Sequence, residues 1–156
     1  MPTIKELDAL NDEMTQWRRA LHQKPEMAFE EEWTSDFIAE KLESFGIEIH
    51  RGLAKTGIVG VVRGKTPGER AIGLRADMDA LRIEEANTFT HRSQHPGIMH
   101  ACGHDGHSAM LLGAARHLAE NPNFSGTVYL IFQPAEENEG GGRVMIEEGL
   151  FDQFPM

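Results

Sequence analysis

An α/β fold, with a mixed, mostly parallel sheet between layers of helices, follows from three features of these 156 residues. Apolar residues recur at helical spacing through the first quarter, short β-branched runs succeed them, and from Ala71 onward a strand, a helix and another strand follow in that order. Such a succession makes a crossover unit, which sets its strands parallel and packs the helix on the sheet. At 40% hydrophobic and 26% charged residues, the composition suits one soluble domain with a real core.

From Ile4 to His22 the residues Ile4, Leu7, Leu10, Met14, Trp17 and Leu21 fall at three- and four-residue steps, which predicts an amphipathic helix ended by Pro25. A second helix is expected from about Glu30 to Ser44, with Trp33, Phe37, Ile38, Leu42 and Phe45 on one side and Gly46 at the C-terminal cap. Short β-like runs follow at Ile47 to His50, Ile58 to Val62 and Ala71 to Leu74. The last two are joined by Gly64 to Gly68, a stretch of hairpin-turn composition. Asp77 to Met99 is polar and aperiodic, hence a long loop, and long loops inside compact domains usually carry function.

Asp105 or Gly106 is placed to cap a helix that carries Met110, Leu111, Ala114, Ala115 and Leu118 on one face and runs to about Glu120. Thr127 to Phe132 is the strongest strand signal in the chain. Gln133 to Glu137 follows directly, then Gly140 to Gly142 and a short helix from about Arg143 to Glu148. In open α/β sheets, sites gather in the loops beyond the carboxyl ends of strands. The loop around Cys102 and the loop around Glu136 both belong there.

A net charge of −10 argues against nucleic acid or an anionic membrane surface as the main partner. The single cysteine excludes a disulfide within the chain, no run of 18 apolar residues occurs, and the N-terminus has no apolar signal core. A cytoplasmic protein is the expected class.

The chemistry concentrates between Met99 and His107, where His100, Cys102, His104 and His107 crowd into a glycine-broken stretch. Thiolate and imidazole are both good ligands for zinc and its first-row neighbours, and Gly103 lets the backbone curl so that both can face one ion. Glu136 and Glu137 point different ways from a strand end, so one can bind a metal while the other holds a water as general base. An exposed acidic helix start is the bland alternative. Asp77 and Asp79, at another strand end, can ligate a metal or orient a ligating histidine. Cys102 also admits a nucleophile reading with a nearby histidine, or an inert core position. The two glutamates favour the metal. His22, His100 and His107 suit structural, hydrogen-bonded roles, and His91 and His95 suit exposed ones.

Four segments in order, Trp17 to Glu26, Leu74 to Leu81, His91 to His107 and Phe132 to Glu137, strongly resemble the di-metal amidohydrolases of the aminoacylase and carboxypeptidase family, in its hippurate hydrolase branch. The resemblance implies a zinc-exopeptidase-like catalytic domain and hydrolysis of the amide in N-acyl amino acids at two divalent ions, zinc, manganese or similar. It implies Cys102 as the bridging ligand, His104 and Glu137 as further ligands, and Glu136 as the general base. Asp77 stands at a place held by a ligand histidine in sister branches, so Asp77 and Asp79 are given supporting roles behind the ligands. The family is more than twice this length and takes two more histidines from downstream. Residues 1–156 therefore look like the N-terminal portion of the catalytic domain, without the smaller lid and dimerisation domain, and self-association or a complementing chain becomes an expected partner beside the small-molecule substrate.

Overall fold

In the computed structural model, which describes residues 5–137 and 139–156 and side-chain surroundings from residue 8 onward, four strands make one sheet. These are β1 (Glu48–Leu53), β2 (Gly57–Arg63), β3 (Thr66–Asp77) and β4 (Ser125–Gln133), in the spatial order β1-β2-β4-β3. The helices are α1 (Lys5–Gln23), α2 (Glu32–Ser44), α3 (His104–Glu120), α4 (Gly141–Glu147) and α5 (Leu150–Gln153). Ile4, the first apolar position expected in the opening helix, lies outside the described residues.

The sheet is mixed. Its parallel pairing is confined to β3 and β4, the two strands joined through α3, while β1 with β2 and β2 with β4 run antiparallel. The expected parallel character therefore belongs to the crossover unit alone. Gly64 to Gly68 does not close a hairpin, because β4 inserts between β2 and β3. Instead the Gly64 and Lys65 amides donate to the Gly126 and Pro122 carbonyls at 2.8 and 2.7 Å. Turn composition marks a change of direction, but it does not say which strand becomes the neighbour.

Alternation along the central strands supplies two apolar faces. Ile58, Val62, Val128, Leu130 and Phe132 meet Trp17, Ile38, Leu42 and Leu112 of the long helices. Val59, Val61 and Ile131 meet Met145, Leu150 and Phe154 on the opposite side. Helices thus cover both faces, which gives the three layers. Gly46 closes α2 at φ 74°, with its amide on the Glu43 carbonyl and the Ile47 amide on that of Leu42, as a C-terminal glycine should.

The start of α3 departs from the sequence expectation. Gly103, at φ 95°, is the N-cap, and its carbonyl accepts from the amides of Gly106 and His107 at 2.8 and 3.1 Å. Asp105 lies inside the first turn and holds the Gly106 amide at 2.9 Å. A left-handed backbone is cheap for glycine alone, so the helix begins where Gly103 permits it, two residues early. His104 and His107 then lie one turn apart on the same face.

The polar stretch after β3 is tied down at many points. The Ala80 amide donates to the Glu26 carbonyl at 2.8 Å, Leu81 and Met99 exchange backbone bonds at 3.0 Å, and the Gln94 amide reaches the Gln23 carbonyl at 2.9 Å. Among the described residues, no helix is long and apolar enough to cross a membrane.

Candidate metal centre

The carboxyl ends of β3 and β4 lie side by side, with Asp77 paired to Gln133 in register, and the N-terminus of α3 meets both. This juxtaposition brings one Cys102, one His104 and one Glu137 donor atom within 4.8 Å of one another. Thiol, imidazole and carboxylate together make a donor set that fits zinc or a neighbouring first-row ion. A second group, Asp77, His104 and His107, meets the same distance limit and shares His104 with the first.

His104 is 2% exposed. Its Nδ1 lies 2.9 Å from the Asp79 carbonyl oxygen and 3.2 Å from Asp79 Oδ1, so Nδ1–H donates to both. That bond leaves the Nε2 lone pair facing Asp77 Oδ1 at 3.6 Å and Glu136 Oε2 and Glu137 Oε1 at 3.9 Å each. A carboxylate behind an imidazole fixes its tautomer and raises its basicity. Burial works to lower the pKa of His104, but the Asp79 hydrogen bonds and the charges of Asp77 and Asp79 outweigh it and leave the pKa raised.

Asp79 also reaches the other loop, where its Oδ2 accepts the Glu137 amide at 2.9 Å. Burial opposes its ionisation, yet the bonds from His104 and from the Glu137 and Glu136 amides hold its pKa below the usual carboxylate range. Asp77 is engaged differently: Oδ1 accepts from His107 Nδ1 at 2.6 Å and Oδ2 lies 3.1 Å from an Arg75 guanidinium nitrogen.

Cys102 is exposed, which removes the inert-core reading. The neighbouring Glu137 carboxylate, with desolvation and the nearby Asp77 and Glu136, pushes the Cys102 pKa up. A nucleophilic cysteine needs the opposite shift. The surroundings of Cys102 suit a cation far better than an unassisted thiolate. Glu136, with its side chain 40% exposed, stands beside the cluster on the solvent side.

The histidines divide in ways that spacing did not foretell. His22 is buried between Asp105 Oδ2, 2.8 Å from its Nδ1, and Glu85 Oε1, 3.1 Å from its Nε2, as a structural residue should be. His100 is also buried, but among the described residues neither ring nitrogen has a hydrogen-bond partner, contrary to the expected bonded role. Desolvation, the largest influence, pushes its pKa down to about 4 and keeps the ring neutral. His91 is half-buried rather than exposed, stacked on Phe89 at 4.1 Å between ring centres. His95 is exposed as expected, and its Nδ1 donates to the Pro25 carbonyl at 2.7 Å.

Sequence reasoning passed over two residues that shape the site from behind. Glu26 receives the Trp33 and Thr34 amides at 3.0 and 2.8 Å, capping α2 from a distance while its own carbonyl holds Ala80. Glu31, fully buried, bonds to Thr56 and to the backbone just before Glu136. The acidic run from Glu30 to Glu32 reads as a solvated helix start, and no local pattern singles out its middle member.

Residues 73–156 match the family model described as peptidase family M20/M25/M40. The chain is 46% identical over 154 residues to the hippurate hydrolase of Campylobacter jejuni, covering 99% of this chain and 40% of that protein. It is 46% identical over 153 residues to an N-acyl-L-amino acid amidohydrolase of Geobacillus stearothermophilus, covering 96% of this chain and 41% of the relative. Among solved structures, a dinuclear metal-binding M20 peptidase of Bacillus subtilis superimposes with a TM-score of 0.88 at 39% identity, over 93% of this chain and 41% of that one. The chain thus spans about 40% of the length of the curated relatives it matches. A matched region that runs from the middle of β3 through both candidate loops, with identity extending over nearly the whole sequence, assigns this chain to peptidase family M20/M25/M40.

Proposed function

We propose that this chain carries part of the machinery for metal-dependent hydrolysis of the amide bond in N-acyl amino acids, with hippurate-like substrates as the type. The observation that supports it is the meeting of Cys102, His104 and Glu137 at one point, with the more exposed Glu136 beside them and outside that group. In this reading Cys102, His104 and Glu137 would together hold the metal. Asp79 orients His104, and Asp77 steadies the same corner through His107. Zinc or manganese bound there supplies Lewis acidity to the acyl carbonyl and makes water easier to deprotonate.

The residues of this chain then manage protons. Glu136 takes one from the attacking water as oxygen bonds to the acyl carbon, and returns it to the amine nitrogen as the carbon–nitrogen bond breaks. The products are a carboxylic acid and a free amino acid. Such a base must sit within one hydrogen bond of the water it serves, and the exposed flank of the cluster leaves Glu136 that room.

Two ions need more donors than these three residues offer, so we expect one ion, bound weakly, and poor hydrolysis by the 156 residues alone. We place the protein in the cytoplasm, where the exposed Cys102 stays reduced. The test is titration of the purified chain with zinc, manganese and cobalt, followed by a hippurate assay. Failure to bind any of the three overturns the metal reading, and robust turnover overturns the need for further ligands.

A second reading concerns partners. Among the described residues β3 pairs with β4 on one side only, so its outer edge is open, and on and beside this strand lie Ile72 (56% exposed) and Met110 (57% exposed) with Ile146, Phe151 and Met156. Open apolar edges invite strand addition. We propose a polypeptide equivalent to the remaining part of an M20 chain as the occupant, bringing the missing ligands. A clean monomer by size-exclusion chromatography, unchanged by such a polypeptide, counts against it.

A further inference from the structure

The loop that carries Glu136 and Glu137 leaves the sheet through an awkward backbone conformation. Ala135, wholly buried, has φ 53°, a left-handed value that side chains other than glycine rarely adopt. Such a residue persists only where its surroundings over-determine it. Three contacts do so here. The Ala135 amide donates to Glu31 Oε1 at 2.9 Å. The Ala135 carbonyl accepts the Gly141 amide at 2.8 Å. Two residues on, the Glu137 amide donates to Asp79 Oδ2 at 2.9 Å.

Two of these contacts have evident local causes. Gly141 approaches so closely that a Cβ there would lie 1.9 Å from the Pro134 carbonyl oxygen, and Asp79 is already placed by His104. Glu31 is the exception. It is a carboxylate with no exposed surface, 104 residues from its partner in sequence, and its other oxygen accepts the Thr56 hydroxyl at 2.7 Å. Both bonds come from neutral donors. Burial is the largest influence on its pKa and pushes it up, against the pull of the Thr56 and Ala135 bonds. Burying a carboxyl at the N-terminus of α2 is costly unless it does something a smaller apolar residue cannot.

We propose that Glu31 is a positioning residue for the Glu136 and Glu137 pair: by holding the Ala135 amide it fixes the turn that aims both carboxylates at the Cys102 and His104 side of the site. The inference rests on the metal reading above and adds to it a residue outside the ligand set. The side-chain bonds of Glu31 go to Thr56 and Ala135, neither of them a candidate ligand. Its effect passes through backbone geometry.

Cobalt is the probe, because a Cys102 thiolate on Co2+ gives a charge-transfer band and the d–d bands report ligand geometry. The wild-type chain, Glu31→Leu, Glu31→Asp and Thr56→Val are titrated with Co2+ while thermal melting is followed in parallel. Glu31→Leu removes the Ala135 anchor, and Glu31→Asp is one methylene too short to serve both donors. Both are expected to weaken Co2+ binding about 10-fold or more, the range seen when a group supporting a ligand is lost, and to shift the d–d bands. Thr56→Val is expected to lower the melting temperature and leave the affinity unchanged, which separates positioning from general stability.

Glu31 variants that melt lower but bind Co2+ with wild-type affinity and spectrum overturn this inference alone. A wild-type chain that shows no thiolate band overturns the metal reading and this inference with it. If both Glu31 variants fail to fold, amide hydrogen exchange on the wild type decides: strong protection of the Ala135 amide is expected, and exchange at the rate of a free loop overturns the proposal.

Discussion

The Asp79 carboxylate accepts the amide of Glu137 across 58 residues of sequence at 2.9 Å, and its other oxygen lies 3.2 Å from His104 Nδ1. One buried side chain thereby fixes the distance between the two loops that carry the candidate ligands. Chain segments with no local reason to meet are registered to each other through two lone pairs of a single carboxylate.

Asp79→Ala takes the carboxylate acceptor from the Glu137 amide and leaves His104 Nδ1–H only the backbone carbonyl of residue 79. We expect the variant to lose about 1–3 kcal/mol in urea denaturation. Zinc affinity, measured by competition with a chelating dye, should fall about 10- to 100-fold. Unchanged zinc affinity in a folded variant shows that His104 needs no support from Asp79.

Glu136→Gln separates proton handling from metal binding. Zinc affinity should stay within about twofold of wild type, since Glu136 is assigned no ligand, while any hippurate hydrolysis supported by added partner polypeptide should fall about 10²- to 10⁴-fold. A large loss of zinc affinity in this variant reassigns Glu136 as a ligand.

Gly103→Ala tests the start of α3. A Cβ at φ 95° meets no neighbouring atom, so any cost comes from the backbone itself. The expected loss is about 1–2 kcal/mol by thermal or urea melting. A shift in the helix start should also displace His104 and broaden the cobalt spectrum. A variant as stable as wild type places the helix start under other control.

Glu85 sets an acid limit on stability. Desolvation resists its ionisation, but bonds from the Ser93 amide, Asn87 and His22 prevail and lower its pKa to about 2 from 4.5. The folded state therefore holds this proton less tightly than the unfolded chain. Its stabilisation is complete above pH 4.5 and is lost as pH falls from there toward 2. One linked proton contributes a slope of at most about 1.4 kcal/mol per pH unit. Glu85→Gln should remove that slope from urea melts between about pH 5 and pH 3. An identical slope in the variant assigns the acid sensitivity to other groups.

Much of this protein was legible locally. The three- and four-residue recurrence of Leu10, Met14, Trp17 and Leu21 specifies a helix because side chains at that spacing share a face, whatever surrounds them. The run Thr127 to Phe132 specifies a strand for the same kind of reason, and Gly46 ends its helix through a preference built into its own backbone. The donor types were equally plain, since a lone cysteine, clustered histidines and paired glutamates name their chemistry by composition.

Other features depended on contacts between distant residues. That β4 lies between β2 and β3, that Glu31 is buried while Glu32 beside it is exposed, and that His100 is buried with no hydrogen bond among the described residues are outcomes of packing. Periodicity reports which side of an element avoids water, over a few residues at a time. It carries no term for which distant surface will meet that side, or for which carboxylate will receive an amide 58 or 104 residues away. The sequence by itself therefore determined the elements and the chemical kinds of donor; the tertiary structure decided which donors stand together, because only a folded sheet brings the ends of β3 and β4 beside the start of α3.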